Sequence, residues 1–385
     1  MKRHYSEITL EFITGFKYLR KKLLYVGFLN GGGWMQTFKE KLADPLTRAP
    51  LPNLYLSIRD LLLEEVCADV EGDVRAVKEL ASRLREELVL RTMSKREPFE
   101  VVAGVDAGSQ VLPLASRRYA VISALVYILP SGRRFFLEPE SMSFPYRFAG
   151  GRLEGVVNVR REAKLYETAL SFVEAGSGVD LLLIDGPLVF SNWWSMAGRE
   201  EDRRRLLDAI NGLLSACREE GIAVAGVVKR PSARYLVYDL GLERETDLPD
   251  SFLLLQILRP GERTELFSAR SAIRRAVRSS PFMDAVDSPV FSFYGRFSSE
   301  WSIPPLRVDL PAFSLGRMEE IADYCYGSSI WSGIPLPIVR ADEEVRITKS
   351  FIADIYGDIV SRVGRLSGEV SYLAPYWGEG RWMGA

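Results

Sequence analysis

Two aspartates close two apolar runs: Asp106 in Val101-Val102-Ala103-Gly104-Val105-Asp106-Ala107-Gly108-Ser109, and Asp185 in Leu181-Leu182-Leu183-Ile184-Asp185-Gly186-Pro187. Short β-rich runs that stop at Gly or Pro read as buried strands ending at a sheet rim. Adjacent strands lie about 5 Å apart, so carboxylates at neighbouring strand ends can share divalent cations and activate water for phosphodiester hydrolysis. Each Asp can equally be a turn opener, since Asp near Gly is common turn chemistry. A third run, Gly226-Val227-Val228-Lys229-Arg230, ends in cations. Lys229 can hold a scissile phosphate or simply solvate a strand end. Trp193 and Trp194 follow the second Asp closely enough to stack on an entering single strand, or to pack beneath the next helix.

The composition narrows the chemistry. The 385 residues include a single histidine, His4, and three scattered cysteines, Cys67, Cys217 and Cys325. A Cys/His zinc site, a His-dependent triad and a disulfide framework are all excluded by that count. A metal here must take oxygen ligands, which favours Mn²⁺ or Mg²⁺. No G-x-x-x-x-G-K-[ST] loop is present, against a P-loop phosphotransferase. Fifty basic and 51 acidic residues nearly cancel, so any nucleic-acid groove must be local. Arg203-Arg204-Arg205 and Arg270 with Arg274-Arg275 offer local charge, or merely solvated faces. The 39 Arg against 11 Lys suit phosphate contacts, though a GC-rich genome or hot habitat gives the same bias. No apolar span of about 20 residues and no signal-peptide pattern stand out, so a cytoplasmic protein without membrane contact is expected.

Apolar periodicity supplies the elements that must position these groups. Residues 1–34 read as a weakly ordered extension and 35–97 as a helical arm, divided near Asp69–Asp73; its stripe faces its own core or a partner. Strands are expected at 101–106, 119–129 and 133–138, with a hairpin turn at 130–133. A helix at 159–175, a strand at 181–185, a helix at 199–219 and a strand at 223–229 follow, which predicts parallel pairing with right-handed crossovers. Strands at 289–297 and 306–310 and helices at 315–326 and 343–363 complete the reading. The fold class is thus α/β: a ribonuclease H-like mixed sheet flanked by helices, spanning about 98–350, with a C-terminal helix and aromatic tail at 351–385.

The ordered segments 105–109, 183–188, 226–230, Leu306-Arg307-Val308-Asp309-Leu310-Pro311 and Ile334-Pro335 to Ala341-Asp342 resemble the NurA family of nucleases over residues 100 to 350. The resemblance implies Mn²⁺-dependent cleavage of single- and double-stranded DNA, a homodimer, and docking on a HerA-type hexameric ATPase in end processing for break repair. Its catalytic aspartates map onto Asp106 and Asp185, and its lysine onto Lys229. A glutamate is implied on the helix before the second aspartate. Glu162 and Glu167 compete for that role, and five helical residues put them about 140° apart, so both cannot face one centre. Glu167 is preferred as the metal ligand, and Glu138 is a further candidate. Arg230 joins Trp193 and Trp194 as a DNA contact. The family's Tyr-Pro and Ala-His become Ile334-Pro335 and Ala341-Asp342 here. Asp342 is then either a recruited ligand or the N-cap of the 343–363 helix, and the alternative to an active enzyme is a weak or inactive scaffold subunit.

Overall fold

The computed structural model describes residues 52–368 and Leu373, except 115–116, 146–150, 191–197, 230 and 277–280. The expected N-terminal extension, Trp193, Trp194 and Arg230 therefore lie outside the described residues. The chain divides into two units, residues 1–75 and 76–385. The described part of the first, 52–75, is helical throughout. It opens helix α1 (Pro52–Glu87), which runs unbroken through the expected division at Asp69–Asp73.

In the second unit, β1 (Leu90–Thr92) leads to the meander β2 (Val102–Pro113), β3 (Arg117–Leu129), β4 (Arg133–Phe136) and β5 (Glu140–Pro145). Next come α2 (Gly151–Glu174), β6 (Leu181–Asp185), α3 (Glu200–Glu219) and β7 (Ala223–Val228). The short helices α4 (Tyr235–Asp239) and α5 (Asp250–Ile257), then β8 (Glu262–Thr264), α6 (Ala269–Ala276) and α7 (Pro281–Asp284), precede β9 (Val290–Gly295) and β10 (Leu306–Pro311). A 3₁₀ turn and α8 (Met318–Ser328), α9 (Leu336–Val345) and α10 (Lys349–Ser367) follow.

The ten strands among the described residues form one sheet, ordered β1-β8-β9-β10-β7-β6-β2-β3-β4, with β5 on β3. β2, β6 and β7 are parallel neighbours, while β3 and β4 return antiparallel beside β2. An antiparallel meander passing into a parallel βαβ part is the ribonuclease H-like arrangement expected above.

Strand alternation sorts side chains onto two faces. Ala103, Val105, Leu182, Ile184 and Val224 join one core with residues of α2 and α3. Leu181, Leu183, Ala225 and Val227 join a second core that includes Ile338 of α9. Asp106, Asp185 and Lys229 fall on that second face by the same alternation, and register places them together: Val105 pairs with Ile184, and Asp185 with Val227.

Asp106 is not at a strand end as expected; β2 continues seven residues past it, paired with β3 as far as Pro113–Arg118. Gly104 and Gly108, on the same face of β2 as Asp106, are instead gaps for a helix. A Cβ on Gly104 would stand 2.3 Å from the Pro337 carbonyl, and one on Gly108 2.5 Å from the Val345 carbonyl oxygen. Eight residues of helix rise about 12 Å and four of strand about 13 Å, so α9 lies along β2 between the two glycines and carries Asp342 opposite Asp106.

The expected helix at 343–363 is two helices. α9 ends at Val345, and α10 starts after Thr348, whose side-chain oxygen accepts a hydrogen bond from the Phe351 amide at 3.2 Å. Thr348, not Asp342, is therefore the cap that breaks the run.

Gly104→Ala forces the α9 backbone off the strand, and we expect a loss of about 1–3 kcal/mol in denaturant unfolding. Gly357→Ala, in open space on α10, should gain about 0.5–1 kcal/mol instead.

Candidate metal centre

One carboxylate oxygen from each of Asp106, Asp185 and Asp342 lies within 4.8 Å of the others. Lys229, one residue past β7, stands among them. Its Nζ is 2.6 Å from Asp185 Oδ2, 3.4 Å from Asp342 Oδ1 and 4.0 Å from Asp106 Oδ2. Asp106 is buried and Oδ1 accepts a hydrogen bond from the Ala107 amide at 2.7 Å, leaving Oδ2 toward the ammonium. Asp342, inside α9, also pairs through Oδ2 with Arg346 one turn on.

Burial and crowding set the charge states. Burial, then the negative charge of Asp185, pushes the Asp106 carboxyl up to about 9. Burial also raises Asp185, although Lys229 opposes it. For Lys229, burial favours the neutral amine, but Asp185, Asp106 and Asp342 together hold the ammonium above its ordinary value. Asp342 is pushed up by its partial burial, but Lys229 and Arg346 outweigh that and hold it below the usual carboxylate range. The cluster thus has more anionic capacity than its internal cation neutralises.

The two helix glutamates separate as their angular spacing demands. Glu162 is buried; Oε1 accepts from Arg161 Nη2 at 2.7 Å, while Oε2 is buried without a hydrogen-bond partner. That free oxygen faces the residue after Asp185, 3.5 Å from where a Gly186 Cβ would stand. The structure does not bring Glu167 to the cluster. Five residues further round α2, both its carboxylate oxygens are taken by Arg205 of α3, which also binds Glu140 of β5. Glu138 is exposed and outside the cluster.

The arginine clusters are largely neutralised by local acids. Arg203 and Arg204 pair with Glu200, and Arg270 and Arg274 with Asp284. Arg161 was not picked out from the sequence; an Arg-Glu dipeptide on a helix carries no signal until the helix is docked.

A partly buried acidic cluster around one lysine, drawn from within β2, from the end of β6 and from α9, sits on one face of a ribonuclease H-like sheet. The NurA domain model matches residues 100–347, most of the chain, and the chain belongs to that family. Among solved structures, the NurA nuclease from Sulfolobus solfataricus is similar at 20% identity and TM-score 0.58, over 80% of this chain and 97% of that one. A NurA structure with manganese is 11% identical with TM-score 0.49, over 79% of this chain and 98% of that one. No curated protein matches the chain. No described helix is long and apolar enough to cross a membrane.

The raised Asp106 carboxyl has a pH signature. The folded chain retains a proton that the unfolded chain releases near 3.8. This contribution to stability is therefore full below about pH 4 and lost progressively as the pH rises toward 9. In chelator-treated protein, the melting temperature of Asp106→Asn should exceed that of the wild type by a margin that widens from pH 5 to pH 9; an unchanging margin would contradict the assignment.

Proposed function

We propose that the chain is a metal-dependent nuclease acting on DNA, a reading carried by the convergence of Asp106, Asp185 and Asp342 around Lys229. The donor set fits a hard divalent cation: three carboxylates converge, and the partnerless Glu162 Oε2 faces the strand end. Asp106, Asp185 and Asp342 would hold Mn²⁺ or Mg²⁺, with Glu162 as the helix-borne acid in place of Glu167. The bound cation would supply Lewis-acid polarisation of the scissile phosphate and a more acidic water.

The chain's own groups supply the rest. Lys229 remains protonated beside the carboxylates and is placed to bind a phosphate oxygen and neutralise charge gained during cleavage. Arg346 holds Asp342, and Arg161 holds Glu162, so neither acid turns freely. Asp342 occupies the position of the family histidine, and its place in the cluster supports recruitment as a ligand. Family membership supports the finer reading: single- and double-stranded DNA as substrates, a second copy of the chain and a HerA-type ATPase as partners, and end resection in double-strand break repair.

Purified protein should degrade linear single- and double-stranded DNA when Mn²⁺ is added and not in chelator. Asp106→Asn and Asp185→Asn should each lower the rate more than about 100-fold, beyond the loss of an outer-shell partner. Wild-type protein that binds DNA without cleaving it in Mn²⁺ or Mg²⁺ would instead support the scaffold reading.

Asp342→Ala should weaken Mn²⁺ binding in calorimetry and slow cleavage together. Faster cleavage by Asp342→His, alone or with Ile334→Tyr, would mark a degraded site and overturn recruitment of the carboxylate.

A further inference from the structure

Behind the acidic cluster, on the opposite face of the sheet, lies a buried ion pair that the proposed chemistry does not use. Asp309 and Arg307 of β10 are both buried, and Arg307 Nε donates to Asp309 Oδ1 at 2.8 Å and Nη2 to Oδ2 at 3.1 Å. Ser292 Oγ of β9 donates to Oδ1 at 2.7 Å. The remaining capacity of Oδ2 goes to the loop that follows Asp185: the Leu188 amide donates at 3.0 Å and the Val189 amide at 3.3 Å.

The loop has been given room to reach it. Gly226 of β7 pairs with Ile184 on one side and with Asp309 on the other. A Cβ on Gly226 would stand 2.7 Å from the Gly186 carbonyl oxygen and 2.9 Å from Leu188 Cγ. The chain leaving Asp185 thus folds down over a bare stretch of β7 and meets the carboxylate of the next strand. Tyr166 of α2 adds a third hold, donating to the Pro187 carbonyl at 2.7 Å.

A second arm of the same buried network holds the loop after Lys229. Arg307 lies 4.9 Å over the ring of Tyr235. Asp250 accepts from the Leu236 and Val237 amides and from the Tyr294 hydroxyl, while Ser251 Oγ donates to the Pro231 carbonyl at 2.8 Å.

A carboxylate that accepts two amides of a loop fixes that loop as a unit, and burial makes any alternative placement of Asp309 costly. The geometry points to Asp309, held by Arg307, as a positioning residue for the metal centre: it fixes the 186–189 loop, and through it the direction of the Asp185 carboxylate and the approach of Gly186 to Glu162. This rests on the metal-centre reading above. It assigns to a strand with no side chain in the cluster the task of keeping that cluster in register.

The test uses the full-length protein, with Mn²⁺ affinity by calorimetry and kcat and KM on linear DNA, all well below the melting temperature. Asp309→Asn removes the charge behind the loop, and Gly226→Ala pushes the loop from the other side without touching a charge. Each should weaken Mn²⁺ binding about 10- to 100-fold, the range for outer-shell partners, and lower kcat with little change in KM. Ser292→Ala, which removes one supporting hydrogen bond, should give a smaller shift in the same direction and keeps the test readable should Asp309→Asn not fold. Val308→Ala, on the same strand but facing the second core, lowers stability alone and should leave Mn²⁺ affinity at the wild-type value. Variants that match Val308→Ala would overturn the positioning role and leave the metal centre standing. A wild-type chain that binds no Mn²⁺ would overturn the metal centre, and with it the role of Asp309.

Discussion

Mutual repulsion of crowded, partly buried carboxylates is the constraint around which this molecule is arranged. One carboxylate oxygen from each of Asp106, Asp185 and Asp342 lies within 4.8 Å of the others, with Asp106 buried and Asp185 and Asp342 half-buried. Like charges so placed hold together only where covalent structure and packing oppose them and a cation compensates. The rigid parallel pairing of β2 with β6 supplies the first, and the Lys229 ammonium supplies part of the second. A divalent ion in the same place would complete the neutralisation and displace the proton that Asp106 otherwise retains.

Helix α9 brings the third carboxylate, and only the sheet's missing side chains allow it. Backbone meets backbone at Gly104 and Gly108, closer than any side chain permits. The helix that carries Asp342 is therefore referenced to the strand that carries Asp106 with no intervening layer to flex. On the opposite face, α2 brings Glu162 to the end of β6. Two helices from two faces thus converge on a rim that the strands alone would leave open.

Much of this was legible in the sequence, because it depends on local alternation. The runs at 181–185 and 223–228 are apolar on both faces and can only be interior strands, and their order with intervening helices dictates parallel neighbours. Asp106, Asp185 and Lys229 were each singled out near the end of an apolar run, and the pairing of Val105 with Ile184 and of Asp185 with Val227 is what puts them on one face. What remained hidden depends on docking. Glu162 and Glu167 differ only in the rotation of α2, which its buried face of Val159, Ala163, Tyr166 and Ala169 fixes and which turns Glu167 toward Arg205 of another helix. Gly108 read as a strand stop because a glycine that ends a strand and one that admits a helix look the same until the helix is present. Asp342 read equally as a cap because the break at 346–348 follows it by one turn.

The assembly of the centre from distant positions has a consequence in time. Strands β2, β6 and β7 emerge and can pair before the final third of the chain exists, since domains build as the polypeptide is made and long-range contacts wait for their partners. The third carboxylate arrives only with α9, and β10, whose Asp309 secures the loop behind Asp185, also comes late. A nascent chain halted between them would own a folded sheet and an incomplete acidic nest. The order of synthesis thereby makes the acidic nest the last part of the sheet rim to close, because its third carboxylate and the strand that braces its second both follow the three parallel strands in the chain.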